Sequence, residues 1–393
     1  MSEAIPQQAP ANRATTTAVT SLKLTDFRNY PSLGLMLDRR SVVLAGPNGA
    51  GKTNLLEAVS LLSPGRGIRG ARLEDMARHG GTGTWAVAVD LDNRDGSVAL
   101  GTGVIAGHSG PETRRRVHVN HVAVGSSSAL LDHLRVVWLT PAMDGLFTGS
   151  PGDRRRFLDR AVLAIDTGHG TRSNAFERAM RGRNRLLGEP SPDQSWLDAI
   201  EAEMAELGVA IAAARREWAG LTESSLDLTG DTPSPFPTAV VTLNGTLESA
   251  LESEPASTVE EDYRRQLREE RRRDAAAGRT LAGPHRSDLL VRHGRKDMAA
   301  ALCSTGEQKA LLVGLVLAQA RLVTRLTGQT PLVLLDEIAA HLDEARRATL
   351  FNLLVGLGCQ AFITGTDASV FAPLGEQAQH FAARDATVTL IEP

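Results

Sequence analysis

The sequence has few of the features that mark a secreted or membrane-spanning protein. Its 393 residues include only two cysteines, Cys303 and Cys359, which excludes a disulfide framework and favours a reducing cytoplasm. The longest apolar runs, such as residues 331–335, fall far short of the ~20 residues that cross a bilayer, so we expect no membrane partner. Residues 1–20 carry one arginine and no apolar segment, which does not fit a secretory signal.

The charge is nearly balanced overall but unevenly distributed. The net charge is -3, yet residues 187–262 hold 16 acidic side chains against two arginines. Residues 111–190 hold 13 arginines against eight acids, and residues 263–298 hold 11 bases against five acids. Basic faces of this kind attract polyanions, although some of these runs could be solvated helix faces with i,i+4 ion pairs.

The order of apolar patterns predicts an α/β head that is split in sequence by a helical insert. Residues 1–20 lack periodicity and predict a disordered leader. Strand and helix patterns alternate over residues 21–125, the N-terminal part of the head, and again over residues 279–393, its C-terminal part. Residues 126–278 are mainly helical and predict an arm domain, with a seam of apolar residues in steps of three and four from Leu197 to Leu221.

A phosphate-binding loop follows the buried strand at residues 41–45. The motif G-x-x-x-x-G-K-[ST] lies between that strand and a helix, where its glycines let backbone N–H groups turn towards phosphates. Lys52 would bind the β- and γ-phosphates of ATP, and Thr53 would bind Mg²⁺. The alternative is a glycine-rich turn without a ligand. The motif consists of Gly46, Pro47, Asn48, Gly49, Ala50, Gly51, Lys52 and Thr53.

A second acidic motif ends the buried strand at residues 332–335. Asp336 would lie beside the Mg²⁺ that Thr53 binds, and Glu337 would take a proton from an attacking water. An acidic pair at a strand end could also be a surface turn. Asp343, seven residues beyond Asp336, is a candidate nucleotide contact or simply a favourable acid at a helix N-terminus.

Residues 303–309 begin a helix about 30 residues before the acidic strand. Ser304 and Glu307 fit a capping box, which is the structural interpretation. The functional interpretation is the signature motif of ABC-type ATPases, in which Ser304 and Gly306 contact the γ-phosphate of nucleotide held by a second subunit.

Several blocks in a fixed order resemble the RecF family of bacterial recombination-mediator ATPases over about residues 21–392. The blocks are LTDFRNY at 24–30, TPAMD at 140–144, GSPGDRRRFLD at 149–159, GPHRSDL at 283–289 and STGEQK at 304–309. The resemblance implies a head like those of Rad50 and SMC proteins, with a short helical arm in place of a long coiled coil.

The resemblance also implies a function. Such a protein forms an ATP-dependent homodimer on DNA and hydrolyses ATP slowly. It binds single- and double-stranded DNA and works at gap junctions. Its expected partners are RecR and RecO, with which it would load RecA and support the SOS response from the cytoplasm. Asn48, Lys52 and Thr53 would contact phosphate and Mg²⁺, Asp336 the metal, and Glu337 would be the base.

The sequence departs from the ABC pattern in two places. No glutamine occurs between Gln8 and Gln194, so the glutamine that senses the γ-phosphate is missing, and residues 364–367 carry no switch histidine. Both losses favour slow hydrolysis, that is, a weak DNA-stimulated ATPase that serves as a switch. The candidate DNA contacts are arginines, because neutralised phosphates supply most sequence-independent affinity and aromatic residues for base stacking amount to only 4%. These arginines are Arg114, Arg115, Arg116, Arg154, Arg155 and Arg156.

Two other functional classes compete with a DNA-repair ATPase. The first is the ATPase subunit of a membrane transporter, which usually carries both missing residues and a shorter insert than the roughly 250 residues between Thr53 and Ser304. The second is a scaffold that binds ATP without hydrolysis, which Glu337 argues against.

Overall fold

The computed structural model describes residues 15–105, 115–223, 225, 235–338 and 342–391. The strands are β1 (Ala18–Phe27), β2 (Tyr30–Met36), β3 (Ser41–Ala45), β4 (Trp85–Asn93), β5 (Gly96–Val104), β6 (Arg116–Val119), β7 (Val122–Val124), β8 (Val136–Leu139), β9 (Ala239–Asn244), β10 (Asp288–His293), β11 (Met298–Ala299), β12 (Leu332–Leu335), β13 (Ala361–Gly365), β14 (Ala378–Arg384) and β15 (Thr387–Ile391). The α-helices are α1 (Lys52–Ser60), α2 (Pro151–Leu163), α3 (His169–Leu187), α4 (Gln194–Glu223), α5 (Thr246–Ala250), α6 (Ala256–Glu269), α7 (Arg271–Ala277), α8 (Thr305–Thr327) and α9 (Glu344–Leu357).

The central sheet of the head has the strand order β15-β14-β3-β13-β12-β8, and all neighbours except β14 and β15 are parallel. All residues of β3 and β12 are buried because helices or a second sheet cover both faces, which explains their continuous apolar sequences. Val42 and Leu44 pack on the α1 side, whereas Val43 packs on the side of α8. The carboxyl ends of β3, β13 and β12 therefore meet at one edge.

A six-stranded antiparallel sheet, β2-β1-β4-β5-β6-β7, completes the N-terminal part of the head. Residues of β4 alternate between buried and exposed or half-buried positions, as expected for a sheet with one face on the core. Phe27 and Trp85 pack edge to face on that core side, with ring centroids 5.5 Å apart. This sheet supports α1, which follows the phosphate-binding loop.

The arm consists mainly of α2 to α7, with the 30-residue α4 as its longest element. Along the predicted seam, Leu197, Met204, Ile211 and Trp218 are buried. The arm core packs Phe176 of α3 and Tyr263 of α6 against the middle of α4. The apolar seam on α4 thus holds antiparallel neighbours together within one chain.

The structure differs from the predicted domain boundaries at three places. The predicted leader ended at residue 20, but β1 begins at Ala18 and the Thr17 amide donates to Thr330 Oγ1 at 3.1 Å, so residues 15–20 belong to the head; residues 1–14 lie outside the described part. Strand β8, inside the predicted arm, pairs with β12 of the central sheet. Strand β9 pairs with β10 across the predicted boundary at residue 278. Strand pairing between distant segments leaves no mark in the local pattern.

Helix α8 has the length and composition of a membrane span. It is 23 residues long, and 72% of its most apolar window is buried inside the protein. Core helices of globular proteins have the same composition, so a single helix of this kind is weak evidence for a membrane segment.

Candidate nucleotide site

The loop between β3 and α1 depends on glycine where the chain passes close to its neighbours. Gly51 has a φ of 105° and precedes the first residue of α1. A Cβ atom at Gly51 would lie 2.6 Å from both Asn29 Nδ2 and the Tyr30 hydroxyl. A Cβ at Gly46 would collide with the backbone oxygen of Ala383. The loop therefore follows a path that only glycine permits at these positions.

Lys52 is buried beneath this loop, with 4% of its side chain exposed. Its ammonium donates hydrogen bonds to the carbonyl oxygens of Gly46 (2.7 Å) and Pro47 (3.0 Å) and lies 3.9 Å from Glu337 Oε1. Burial lowers the pKa of Lys52, while the charges of Glu337 and Asp336 oppose that shift. A buried cation at a helix N-terminus is an anion-binding arrangement.

Asp336 lies between two threonine hydroxyls that come from different elements. Thr53 Oγ1 of α1 lies 3.0 and 3.1 Å from its two carboxylate oxygens, and Thr364 Oγ1 of β13 donates to Oδ1 at 2.8 Å. Asp336 is 5% exposed, and Thr364 is fully buried. The parallel order β3-β13-β12 produces this cluster because the three strand ends are neighbours.

Glu337 adopts a left-handed backbone conformation with a φ of 54°. Its amide donates to Thr364 Oγ1 at 2.9 Å, and one third of its side chain is exposed. A non-glycine residue in this region is unusual, and here the Thr364 hydroxyl holds it. The carboxylate of Glu337 therefore stands at the open edge of the site, between Lys52 and solvent.

The oxygen atoms at this edge fit Mg²⁺. The Thr53 hydroxyl and both oxygens of Asp336 lie within hydrogen-bonding distance of each other, and hard oxygen ligands are those that Mg²⁺ prefers. The described residues contain no group of three or more His, Cys, Asp or Glu side chains that could bind a metal without phosphate oxygens. Mg²⁺ is usually held by one or two protein ligands together with substrate phosphates, and Thr53 and Asp336 would supply the protein ligands.

A polar network beside the loop was not predicted from sequence. Asn54 donates to Asn29 Oδ1 at 2.7 Å, and Arg28 forms a bidentate pair (2.7 and 2.8 Å) with the fully buried Glu57 of α1. Arg69 also donates to Glu57 at 2.6 Å. The sequence block at 24–30 therefore braces α1 and the loop, a role visible only once β1 and α1 are packed together.

The predicted signature motif at residues 303–309 forms the capping box at the start of α8. Ser304 accepts from the Glu307 amide at 3.4 Å and lies 3.0 Å from its Oε2, while Glu307 also pairs with Lys296. These contacts lower the pKa of Glu307 to about 2, with the Lys296 hydrogen bond as the largest cause. Lys309 forms an ion pair of 2.8 Å with Asp144. None of the described hydrogen bonds joins Ser304 to the phosphate-binding loop of the same chain.

Asp343 caps α9, where its carboxylate accepts from the Arg346 amide at 2.9 Å. This is the structural role that its position in the sequence allowed. Gly306 lies in the first turn of α8, and a Cβ there would approach only Arg346 Nη1, at 4.0 Å. A nucleotide contact by Asp343 or Gly306 stays a prediction.

The predicted DNA-binding arginines differ in their surroundings, and Arg115 and Arg154 are held by groups of their own chain. Contact of any of the six with DNA stays a prediction. Arg115 is half-buried and donates to the carbonyl oxygens of residues 61, 63 and 65, beyond the C-terminus of α1, and desolvation lowers its pKa to about 10. Arg154 forms a bidentate pair (2.7 and 2.8 Å) with Asp288. Arg155 is half-buried and donates to Ser287 O.

The remaining three candidates differ from each other. Arg116 is exposed at the start of β6. Arg156 is 76% exposed and pairs with Asp153 of the same helix. Arg114 lies outside the part of the chain that the structure describes.

Comparison with known proteins agrees with the predicted family and fold class. The model described as "RecF/RecN/SMC N terminal domain" matches residues 18–389. The chain is 57% identical over 372 residues to the DNA replication and repair protein RecF of Mesorhizobium japonicum, covering 95% of this chain and 97% of the relative. It is 57% identical over 365 residues to the protein of the same name from Agrobacterium fabrum, covering 93% and 96%.

Solved structures show the same fold at lower identity. The recombination mediator protein RecF of the RecFOR pathway with ATP matches 98% of this chain and 100% of its own at 22% identity, with a TM-score of 0.84. The Smc head domain from Pyrococcus furiosus matches 95% of this chain and 96% of its own at 16% identity, with a TM-score of 0.52. The α/β head of ABC type is thereby confirmed. The chain belongs to the RecF family, within the wider group of RecF, RecN and SMC heads.

Proposed function

We propose that this protein is an ATP-dependent DNA-binding protein of recombinational repair and replication. Its dimer would close on DNA with ATP, in the cytoplasm, and help to load RecA at gaps during the SOS response. The observation that carries the proposal is the cluster of Lys52, Thr53 and Asp336 at one sheet edge, in a chain whose relatives are DNA replication and repair proteins. RecR and RecO are the partners we infer from membership of the family.

Each residue of the cluster has a distinct role in the proposed reaction. Lys52 and the backbone N–H groups of residues 48–51 bind the phosphates, since the loop precedes α1 and its N-terminus. Thr53 and Asp336 would hold Mg²⁺, which would neutralise charge on the phosphate oxygens. Glu337 orients the attacking water and accepts its proton.

The proposal includes slow hydrolysis, because residues 364–367, where fast ABC ATPases carry a switch histidine, contain none. Thr364 is committed to Asp336 and to the Glu337 amide, so it stabilises the acidic pair rather than the transferred phosphate. Glu337 is present, which favours a weak DNA-stimulated ATPase over a scaffold that never hydrolyses ATP.

The active site is proposed to be shared between two subunits. Ser304 caps α8 and is exposed, and its contacts lie within its own segment. In a head-to-tail pair, each γ-phosphate would meet Lys52 of one chain and Ser304 and Gly306 of the other. ATP then joins the two chains, and hydrolysis removes the group that bridges them.

Sedimentation of the purified protein with a gapped duplex tests this function. With Mg²⁺ and ATP we expect a dimer that retains the DNA, and without nucleotide a monomer that does not. Lys52→Arg should abolish retention, because the longer planar guanidinium does not fit beneath the loop. Retention of DNA by that variant at the level of the parent would show that the nucleotide site is assigned wrongly.

The transporter alternative is weaker. A transporter ATPase would need a surface that docks on a membrane domain, and the long arm of α3 and α4 occupies the insert instead. Binding of ATP without any effect of DNA on turnover or oligomeric state would favour it.

A further inference from the structure

Helix α3 presents a row of arginines on one exposed face. Arg178, Arg181 and Arg185 are all exposed and follow one another in steps of three and four residues, which places them on one side of the helix. The opposite side is buried, with Phe176 and Ala179 in the arm core. We call these three residues the α3 arginine row.

The α3 arginine row has little compensating charge. Arg181 pairs with Glu177 at 3.5 Å, and both side chains are at least 60% exposed, so the pair is weak. Within the part of the chain that the structure describes, Arg178 and Arg185 form no ion pair or side-chain hydrogen bond. All three guanidinium groups are therefore available to an anion.

A buried ion-pair network fixes the position of the row. Arg183, on the inner side of α3, is fully buried and donates to Glu201 (2.9 Å) and to Asp274 (2.6 Å). It also donates to Thr280 Oγ1 (2.9 Å) and to the Leu267 carbonyl oxygen (2.6 Å). These contacts join α3 to α4 and to α7, so the row stands on a braced surface.

Exposed charges elsewhere on the arm are unevenly distributed. Three further exposed arginines, Arg272, Arg273 and Arg279, lie within five residues of Asp274 in the sequence, and Arg273 pairs with Glu270 at 3.7 Å. The exposed face of α4 instead carries acidic residues. Those residues are Glu203, Glu206 and Glu217. A polyanion would be attracted to the α3 side and repelled from the α4 side.

We propose that the α3 arginine row binds the sugar-phosphate backbone of DNA, an inference that rests on the proposed function. The row spans eight residues, and its seven steps of 1.5 Å give a length of about 10.5 Å. One DNA strand carries a phosphate about every 3.4 Å along the axis, so it presents about three phosphates over that length. Arginine guanidinium groups suit phosphate oxygens, so we expect the row to contact phosphates.

Two arginines of the earlier motifs are weaker candidates for DNA contact than the row. Arg115 donates to carbonyl oxygens and Arg154 pairs with Asp288, and removing either would leave partly buried acceptors without a partner. The row has no such structural task. Recognition by charge along a helix predicts affinity without sequence preference.

The test compares a triple variant with a matched control. The variant is Arg178→Ala, Arg181→Ala and Arg185→Ala, and alanine keeps α3 helical. The control removes three exposed arginines of the head, Arg39, Arg40 and Arg94, and leaves the arm intact. Affinity for a fluorescent gapped duplex is measured at several salt concentrations with Mg²⁺ and ATP, and ATP binding is measured alongside.

We expect the slope of log affinity against log salt to be shallower by two to three in the triple variant, since each neutralised phosphate contributes about 0.9. The control should keep the slope of the parent, and all three proteins should bind ATP equally. If the parent retains DNA and the triple variant shows the parent's slope, the assignment of the row as a DNA-binding site is wrong and the proposed function stands. If the parent itself retains no DNA, the assignment of the row and the proposed function are both wrong. Loss of binding to poly-glutamate with an unchanged DNA slope would identify an acidic protein as the ligand and overturn the proposal.

Discussion

The head and the arm both bury charged residues. The buried charges of the head can still bind a further partner, whereas those of the arm already have all the partners they need. In the head, Asp336 and Lys52 lie at an open sheet edge beside Glu337, one third of whose side chain is exposed. In the arm, Arg183 is satisfied on all sides by Glu201, Asp274 and neighbouring oxygen atoms. A buried charge with an open side can bind a ligand, whereas one that its neighbours satisfy holds helices together.

The largest expected effect concerns the open side of the head. Glu337→Gln keeps the size of the side chain and removes the base, so ATP turnover should fall by about 10²–10⁴-fold. ATP binding should be unchanged, and a dimer that persists in ATP should accumulate. Turnover is measured by phosphate release with gapped DNA. Turnover at the parental rate would mean that another group accepts the proton.

The second prediction concerns the buried ion-pair network of the arm, which is centred on Arg183. Arg183→Met removes the cation, so the buried Asp274 loses its ion-pair partner and the buried Glu201 keeps only Arg271; the free energy of unfolding should fall by about 3–5 kcal/mol. Urea denaturation followed by Trp fluorescence measures the loss. Arg181→Met on the exposed side of the same helix is the matched control and should change stability by less than about 0.5 kcal/mol. Equal effects of the two substitutions would contradict the comparison.

The Thr364 hydroxyl supports the acidic pair of the nucleotide site without being a predicted ligand or base. Thr364→Val has a similar shape but leaves Asp336 Oδ1 and the Glu337 amide without this partner, so turnover should fall roughly tenfold, about 1.4 kcal/mol. Thr364→Ser keeps the hydroxyl and should restore turnover. Since the phosphate-binding loop is untouched, the affinity for ATP should change less than turnover does. Equal turnover in both variants would show that the hydroxyl does not position Glu337.

The smallest effect is a pH dependence of ATP binding. Burial lowers the pKa of Lys52, and only its charged form attracts phosphate, so affinity is full below this pKa and is lost as the pH rises through it. Between the lowered pKa and the ordinary one, the unfolded chain binds more protons, and stability should rise with pH. Titration with a fluorescent ATP analogue in alkaline buffers measures the affinity. A flat affinity up to the range of exposed lysines would contradict the burial of the ammonium.

The nucleotide site could be predicted because its chemistry lies in contiguous motifs at strand ends. A glycine-rich loop after a buried strand and an acidic pair after another point to a shared edge without knowledge of the strand order. The sequence could not reveal Thr364, because its role depends on β13 lying between β3 and β12. Sequence patterns were still less informative about the arm. A run of arginines at 154–156 looks basic, but packing commits Arg154 to Asp288, while the exposed row on α3 is spread over eight residues.

The shared active site is the central claim, and mixing two inactive variants tests it most directly. Ser304→Arg places a bulky cation at the proposed interface and should block dimerisation while monomers still bind ATP; Lys52→Arg should prevent ATP binding. In a mixed dimer, one composite site pairs an intact Lys52 with an intact Ser304, so part of the DNA-stimulated ATPase activity should return, provided that one working site closes the dimer. Each variant alone should stay inactive at the same total concentration. A strictly monomeric parent that hydrolyses ATP at its full rate with saturating ATP and DNA would contradict the shared site.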